Sequence, residues 1–267
     1  MNRLEGEAGA CGAGFLPCVS SYNVHHGEEP PISGSLGSGT IFFSHCPVRC
    51  VHCQNYPISH LGHGQTVSFD RLADMMLALQ NRGCHNINFV TPTHYTFQLL
   101  ESVARAARKG LRIPLLSNTS GYESVEVLKL LDGVIDIYLP DLKYGDDRTA
   151  GRITGIEDFA PINRRAVREM YRQVGDLAVT EEGIAARGLI IRHLVLPGGL
   201  AGSEKVFAFL AGEISPHVHV SLMAQYFPAS QAVRNPELNR RITPEEYEEA
   251  REQMLAAGLT NCFVQAL

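Results

Sequence analysis

Short apolar runs alternate with helical patterns along this chain, and that alternation constrains its fold more than any other feature. Six runs read as strands, at 40–44, 86–91, 113–118, 135–140, 189–196 and 218–223. Stretches such as NINFV and LIIRHLVL are nearly continuous in apolar character, as strands covered on both faces of a parallel sheet must be. Between them the helical period appears: Leu72, Met75, Met76 and Leu79 recur at helix spacing within 68–82, before Gly83, and that stripe is core. A second helix is expected over 96–109, closing at Gly110. Ser203 is expected to cap a helix reaching Ala211, and Thr243-Pro244-Glu245-Glu246 to open the last helix as a capping box. Repeated strand–helix units demand right-handed crossovers and an α/β fold, as an open doubly wound sheet or a partly closed barrel. In both, ligands sit beyond the carboxyl ends of the strands. The longest connection, 141–187, is expected to hold a helix over 163–173 and a small hairpin from Leu177, and to cover the mouth of the fold.

The chain's 267 residues, 45% hydrophobic and 19% charged, suit one large core. No run approaches the roughly 18 apolar residues of a membrane span, and the N-terminus lacks the basic and apolar regions of a secretory signal, so a cytoplasmic protein is expected. The net charge of −5, without a basic stripe, gives no footprint for nucleic acid. Composition divides the chain into a Gly/Pro-rich N-terminal extension, 1–38, and a main domain, 39–267.

Three of the seven cysteines, Cys46, Cys50 and Cys53, fall in one Cys-x-x-x-Cys-x-x-Cys loop directly after the first run. That grouping suits neither paired disulfides nor a secreted scaffold. Three thiolates can each hold one iron of a cubane and leave the fourth iron open for chemistry. A Cys₃His zinc site using His45, His52 or His60, in a binding module without catalysis, is the competing reading. Cys84 and Cys262 lie in or beside apolar runs and read as small buried hydrophobes; Cys11 and Cys18 remain unassigned.

With these residues in view, GTIFFSHCPVRCVHCQN resembles the radical S-adenosylmethionine superfamily, in particular its pyruvate formate-lyase activating enzyme-like branch. The likeness continues through NINFVTPTHY, LPDLKYGD, RGLIIRHLVLPGG and LMAQYFP, over nearly the whole chain. It implies a partial (β/α)6 TIM-like barrel whose [4Fe-4S] cluster, on Cys46, Cys50 and Cys53, binds S-adenosylmethionine through its open iron. An electron then cleaves the sulfonium to a 5′-deoxyadenosyl radical. Matching positions suggest which residues face this cofactor. His52 stands where relatives place an aromatic near the adenine. Thr91 and Thr93 replace the Gly-Gly-Glu that receives the methionyl amine. Asn118 and Thr119 match an Asp-Thr-Asn-Gly turn, and Asp141 and Lys143 match an Asp-x-Lys motif. Arg192, a charge inside an apolar strand, suits a carboxylate, whereas His193 faces the other way as a core histidine. Gln225 and Tyr226 follow the last strand at the same height.

The branch implies that the radical abstracts hydrogen from a glycyl radical enzyme, with a one-electron donor such as flavodoxin or ferredoxin. The departure from Gly-Gly-Glu and the long 141–187 connection keep a small molecule or another peptide open as substrate.

Overall fold

All six runs become strands, and they lie side by side in chain order. The computed structural model describes residues 2–265. Its strands are β1 (Cys18–His25), β2 (Ser38–Phe43), β3 (Gln65–Thr66), β4 (Ile87–Val90), β5 (Leu115–Thr119), β6 (Ile137–Pro140), β7 (Ala178–Val179), β8 (Ala185–Leu194), β9 (His219–Met223) and β10 (Cys262–Val264). The order across the sheet is β10-β9-β8-β6-β5-β4-β2-β1-β3, with β7 beside β8. Along that order every pairing from β2 to β10 is parallel, while β1 runs antiparallel to β2, β3 to β1 and β7 to β8. The result is the expected partial barrel, open between β10 and β3 rather than closed.

Helices cover the outer face because their apolar stripes have nowhere else to go. In the helix Phe69–Asn81, Leu72, Met75, Met76 and Leu79 are all buried, each contributing on the order of 1.5–3 kcal/mol by leaving water. Ser68 caps that helix by accepting from Arg71 N at 3.1 Å, and the Thr243–Glu246 capping box opens Pro244–Ala256. The expected helix over 96–109 is Thr96–Arg108. Ser203 departs from expectation. Gly202, with φ 63°, occupies the N-cap of Ser203–Phe209, and the Ser203 hydroxyl instead meets His193 Nε2 at 2.9 Å. His193 also bonds the Leu142 carbonyl through Nδ1 at 2.7 Å and is fully buried. It is a satisfied core histidine.

The 141–187 connection is a crossover rather than a lid over the mouth. Its helices Asp147–Thr154 and Phe159–Val174 carry the chain from β6 to β8, and β7 folds back on β8 as the anticipated hairpin.

The N-terminal extension is built into the fold, with β1 lengthening the sheet. The link from β1 to β2 then crosses the N-terminal end of the strands. Ile32, on the short helix Pro30–Ser33, is fully buried against Leu116, Ile137, Leu139 and Ile190. Alternation puts these strand residues on the concave face, so this link plugs one end of the half-barrel. No helix among the described residues is long and apolar enough to cross a membrane.

Candidate functional site

The opposite end, beyond the strand C-termini, holds a cavity of about 650 Å³ lined by all three loop cysteines. The loop that carries them is held in a conformation it would not choose alone. His45 (φ 71°) and Arg49 (φ 48°) occupy the left-handed region, which costs a non-glycine residue roughly 1–2 kcal/mol. Anchors from four segments impose it. Ser44 Oγ donates to the His63 carbonyl at 2.7 Å, and His45 N donates to Ile58 O at 3.0 Å. Val51 N donates to Ile153 O at 3.0 Å, and Val51 O accepts from Gln231 N and Ala232 N at 3.0 and 3.1 Å.

The donor set fits a cubane. Among the described residues no three His, Cys, Asp or Glu side chains converge as around a single ion. Three thiolates line one cavity, one for each of three irons, which leaves the fourth iron of a cubane open. Burial raises the Cys46 thiol and takes Cys50 up to about 12, against the pull of Lys143. Iron held there would supply the positive charge that favours loss of these protons. Hydrogen-bonding groups already surround the sulfurs. Tyr144 donates to Cys50 Sγ at 3.5 Å, and Ser59 Oγ lies 3.0 Å from Cys53 Sγ. With its one proton on sulfur, the Tyr144 hydroxyl accepts from His52 Nε2 at 3.0 Å. His52 is therefore no exposed loop residue. It is buried edge-on to Tyr144 and Tyr226, and burial, helped by Lys143, pulls its pKa to about 4.

Eight of the ten residues singled out for the cofactor line the cavity: His52, Thr91, Asn118, Thr119, Asp141, Lys143, Arg192 and Gln225. Asp141 and Lys143 do share one face, as an ion pair. Burial would lower the Lys143 pKa, but Asp141 and then Cys50 hold it above the ordinary value. Thr91 turns the chain with φ 60°. Gly121 (φ +71°) closes the turn after Ser120; a Cβ there would meet the Asp141 carbonyl at 2.8 Å.

Three of the ten need correction. Arg192 lines the cavity but is not free for a carboxylate ligand: Glu28 and Glu29 already hold its Nε and Nη2. Thr93 does not line the cavity, because its hydroxyl turns away to Glu123 at 2.8 Å. Tyr226 is fully buried and donates to the Leu238 carbonyl at 2.7 Å, so it packs rather than faces a ligand. Sequence reasoning missed Glu28, Glu29, Ser120 and Ser221 in the cavity wall. The one available signal was Arg192 itself, whose charge required buried partners; nothing local names residues 163 and 164 positions away.

A half-barrel with three cysteines at its mouth and an Asp-x-Lys pair beside them defines a radical S-adenosylmethionine protein. Residues 40–180 match the family model of the Radical SAM superfamily, and the chain belongs to that superfamily. Its cofactors are accordingly a [4Fe-4S] cluster and S-adenosylmethionine. An uncharacterized protein of Methanocaldococcus jannaschii is 32% identical over 252 residues, covering 90% of this chain and 68% of that protein. Among solved structures, the FeFe-hydrogenase maturase HydG from Carboxydothermus hydrogenoformans superposes over 85% of the chain with a TM-score of 0.58 at 14% identity. Methylornithine synthase does so over 85% with a TM-score of 0.55 at 12% identity. The chain spans 52% of the maturase and 70% of the synthase, and at these identities the likeness is one of fold.

Cys46, Cys50 and Cys53 would hold the cluster, which would supply the electron for reductive cleavage of S-adenosylmethionine. The protein's share would be placement: Asp141, Lys143 and Asn118 line the cavity with charge and hydrogen-bonding groups, and buried His52 lines it beside them.

Proposed function

We propose that this chain generates the deoxyadenosyl radical in order to take a hydrogen atom from a protein partner, converting a glycyl radical enzyme to its active form. The observation that carries this reading is the open side of the half-barrel. The sheet ends in free edges at β10 and β3, and the cavity mouth includes Gln225, Gln265 and the half-exposed Phe227. An extended protein loop brings its own backbone donors and acceptors and so suits an open, partly apolar mouth. The electron would come from a one-electron donor such as flavodoxin or ferredoxin. In the test, reduced protein and S-adenosylmethionine are mixed with glycyl radical enzymes of the same host. A glycyl doublet in the electron paramagnetic resonance spectrum of a partner is the expected outcome.

A second reading, hydrogen abstraction from a small polar metabolite, draws on the polar depth of the cavity, where Glu28, Glu29, Arg192 and Ser221 lie. If no partner acquires a radical while a metabolite extract accelerates deoxyadenosine release many-fold, this second reading replaces the first.

A further inference from the structure

One buried carboxylate remains unexplained by the chemistry above. Glu123 follows β5 and is only 5% exposed. Among the described residues its side chain has no cation for a partner; it accepts two hydroxyl hydrogen bonds on a single oxygen. Thr93 donates to Glu123 Oε1 at 2.8 Å and Thr119 donates to the same atom, while the two hydroxyls lie 3.1 Å apart. Thr93 belongs to the turn after β4, and Thr119 is the last residue of β5. Glu123 therefore ties together two neighbouring strand-end turns.

Both turns contribute to the cavity wall: Thr91 from the first, and Asn118, Thr119 and Ser120 from the second. Past the end of β4 the backbone adds one bond between the two, from Thr91 N to Asn118 O at 2.8 Å, and Thr91 sits in the left-handed region. Ser120 adds an independent observation. It is 8% exposed, its Oγ has no hydrogen-bond partner, and it lines the cavity. A buried hydroxyl without a partner costs free energy unless something bonds it.

We infer that Glu123 is a positioning residue for S-adenosylmethionine: through Thr93 and Thr119 it fixes the two strand-end turns, so that the Ser120 hydroxyl meets the bound cofactor. This rests on the cavity being the cofactor site. Glu123 does not itself face the cavity, so its effect on the cofactor is transmitted by the wall. The cysteine loop hangs mainly from other anchors, at Ile58, His63, Ile153 and Ala232, and the Thr93 turn reaches its base at one point, where His94 Nε2 lies 2.8 Å from the Ser44 carbonyl.

The test measures S-adenosylmethionine binding to cluster-loaded protein by equilibrium dialysis, with iron content measured on the same samples. Glu123→Ala removes the acceptor the two hydroxyls share, leaving them to bond each other, and should weaken binding roughly tenfold or more at unchanged iron content. Glu123→Gln keeps an amide oxygen as acceptor and should recover most of the affinity. Ser120→Ala should weaken binding without lowering the melting temperature. Should Glu123→Ala fail to fold, Thr93→Val, which breaks one of the two ties outside the cavity, is expected to weaken binding at constant iron. Wild-type affinity in Glu123→Ala, or in Thr93→Val where that stands in for it, overturns the inference. So does a parallel loss of iron and binding that Gln does not rescue, since that marks a general packing role. If cluster-loaded wild-type protein itself binds no S-adenosylmethionine, it is the assignment of the cavity that fails.

Discussion

Replacing Arg192 with alanine should destabilise the protein through its two glutamates rather than by loss of a cofactor contact. Glu28 and Glu29 side chains are 6% and 4% exposed, and Arg192 is the cation paired with both. Removing one partner from a buried ion pair costs about 3–5 kcal/mol, because the remaining charge is left without compensation. For a chain of this size that lowers the melting temperature by on the order of 10 °C. The loss should depend on pH. Burial pushes the Glu29 pKa up, yet Arg192 outweighs it and holds the group below the usual carboxylate range. In the wild type Glu29 therefore contributes stability above pH 4.5 that is lost as pH falls through its lower folded value. Without Arg192, burial, the largest influence, outweighs the hydrogen bonds from Ser221 and the Glu29 backbone and raises the folded pKa above the unfolded one. The variant then gains stability as pH falls and the carboxylate takes up a proton. Calorimetric melting of Arg192→Ala at pH 5 and pH 7.5 should show the smaller deficit at pH 5. Arg192→Met combined with Glu28→Gln and Glu29→Gln should recover most of the loss, since no charge is left stranded. A full-sized deficit that persists in the triple variant, or an Arg192→Ala protein as stable as wild type but unable to bind S-adenosylmethionine, would refute this account and return Arg192 to the cofactor.

Anaerobic reconstitution should load about four irons and four sulfides, and Cys46→Ala, Cys50→Ala or Cys53→Ala should each abolish loading. Cys84→Ala and Cys262→Ala should leave iron analysis unchanged. Tyr144→Phe removes the O–H donated to Cys50 sulfur; iron content should hold, while the cluster midpoint potential becomes more negative in a redox titration, because hydrogen bonds to sulfur favour the reduced state. Gly121→Ala combines a positive φ with a Cβ pressed on the Asp141 carbonyl and the Asn163 amide, and should cost at least about 2 kcal/mol in urea unfolding.

The parallel strands were legible because each is covered on both faces and so must be apolar throughout. The capping box at Thr243 and the cap at Ser68 were legible because they are local. Strand β1 was not: in CVSSYNVH most positions are only half-buried, so no continuous apolar run marks it. Ser203 was misplaced as a cap because its true partner, His193, is fixed by tertiary packing. The cysteine loop could be read from spacing alone, yet the ligand-facing status of its neighbours could not. Thr93 and Asn118 look alike in the chain, and only the position of Glu123 turns one of them away from the cavity. Arg192 is the sharpest case, since its sequence context demanded a buried counter-charge and a contact 163 residues away in the chain supplied it.

The plug formed by the β1–β2 link governs traffic. With Ile32 and the Glu28–Arg192–Glu29 cluster corking one end, S-adenosylmethionine, substrate and product would all use the doorway at the cysteine-loop end and the open side of the half-barrel next to it. Whatever sits deeper must arrive first and depart last, so the architecture imposes a queue. A partner protein docked at that doorway would also be its stopper, keeping oxygen and water from the radical for as long as it stayed.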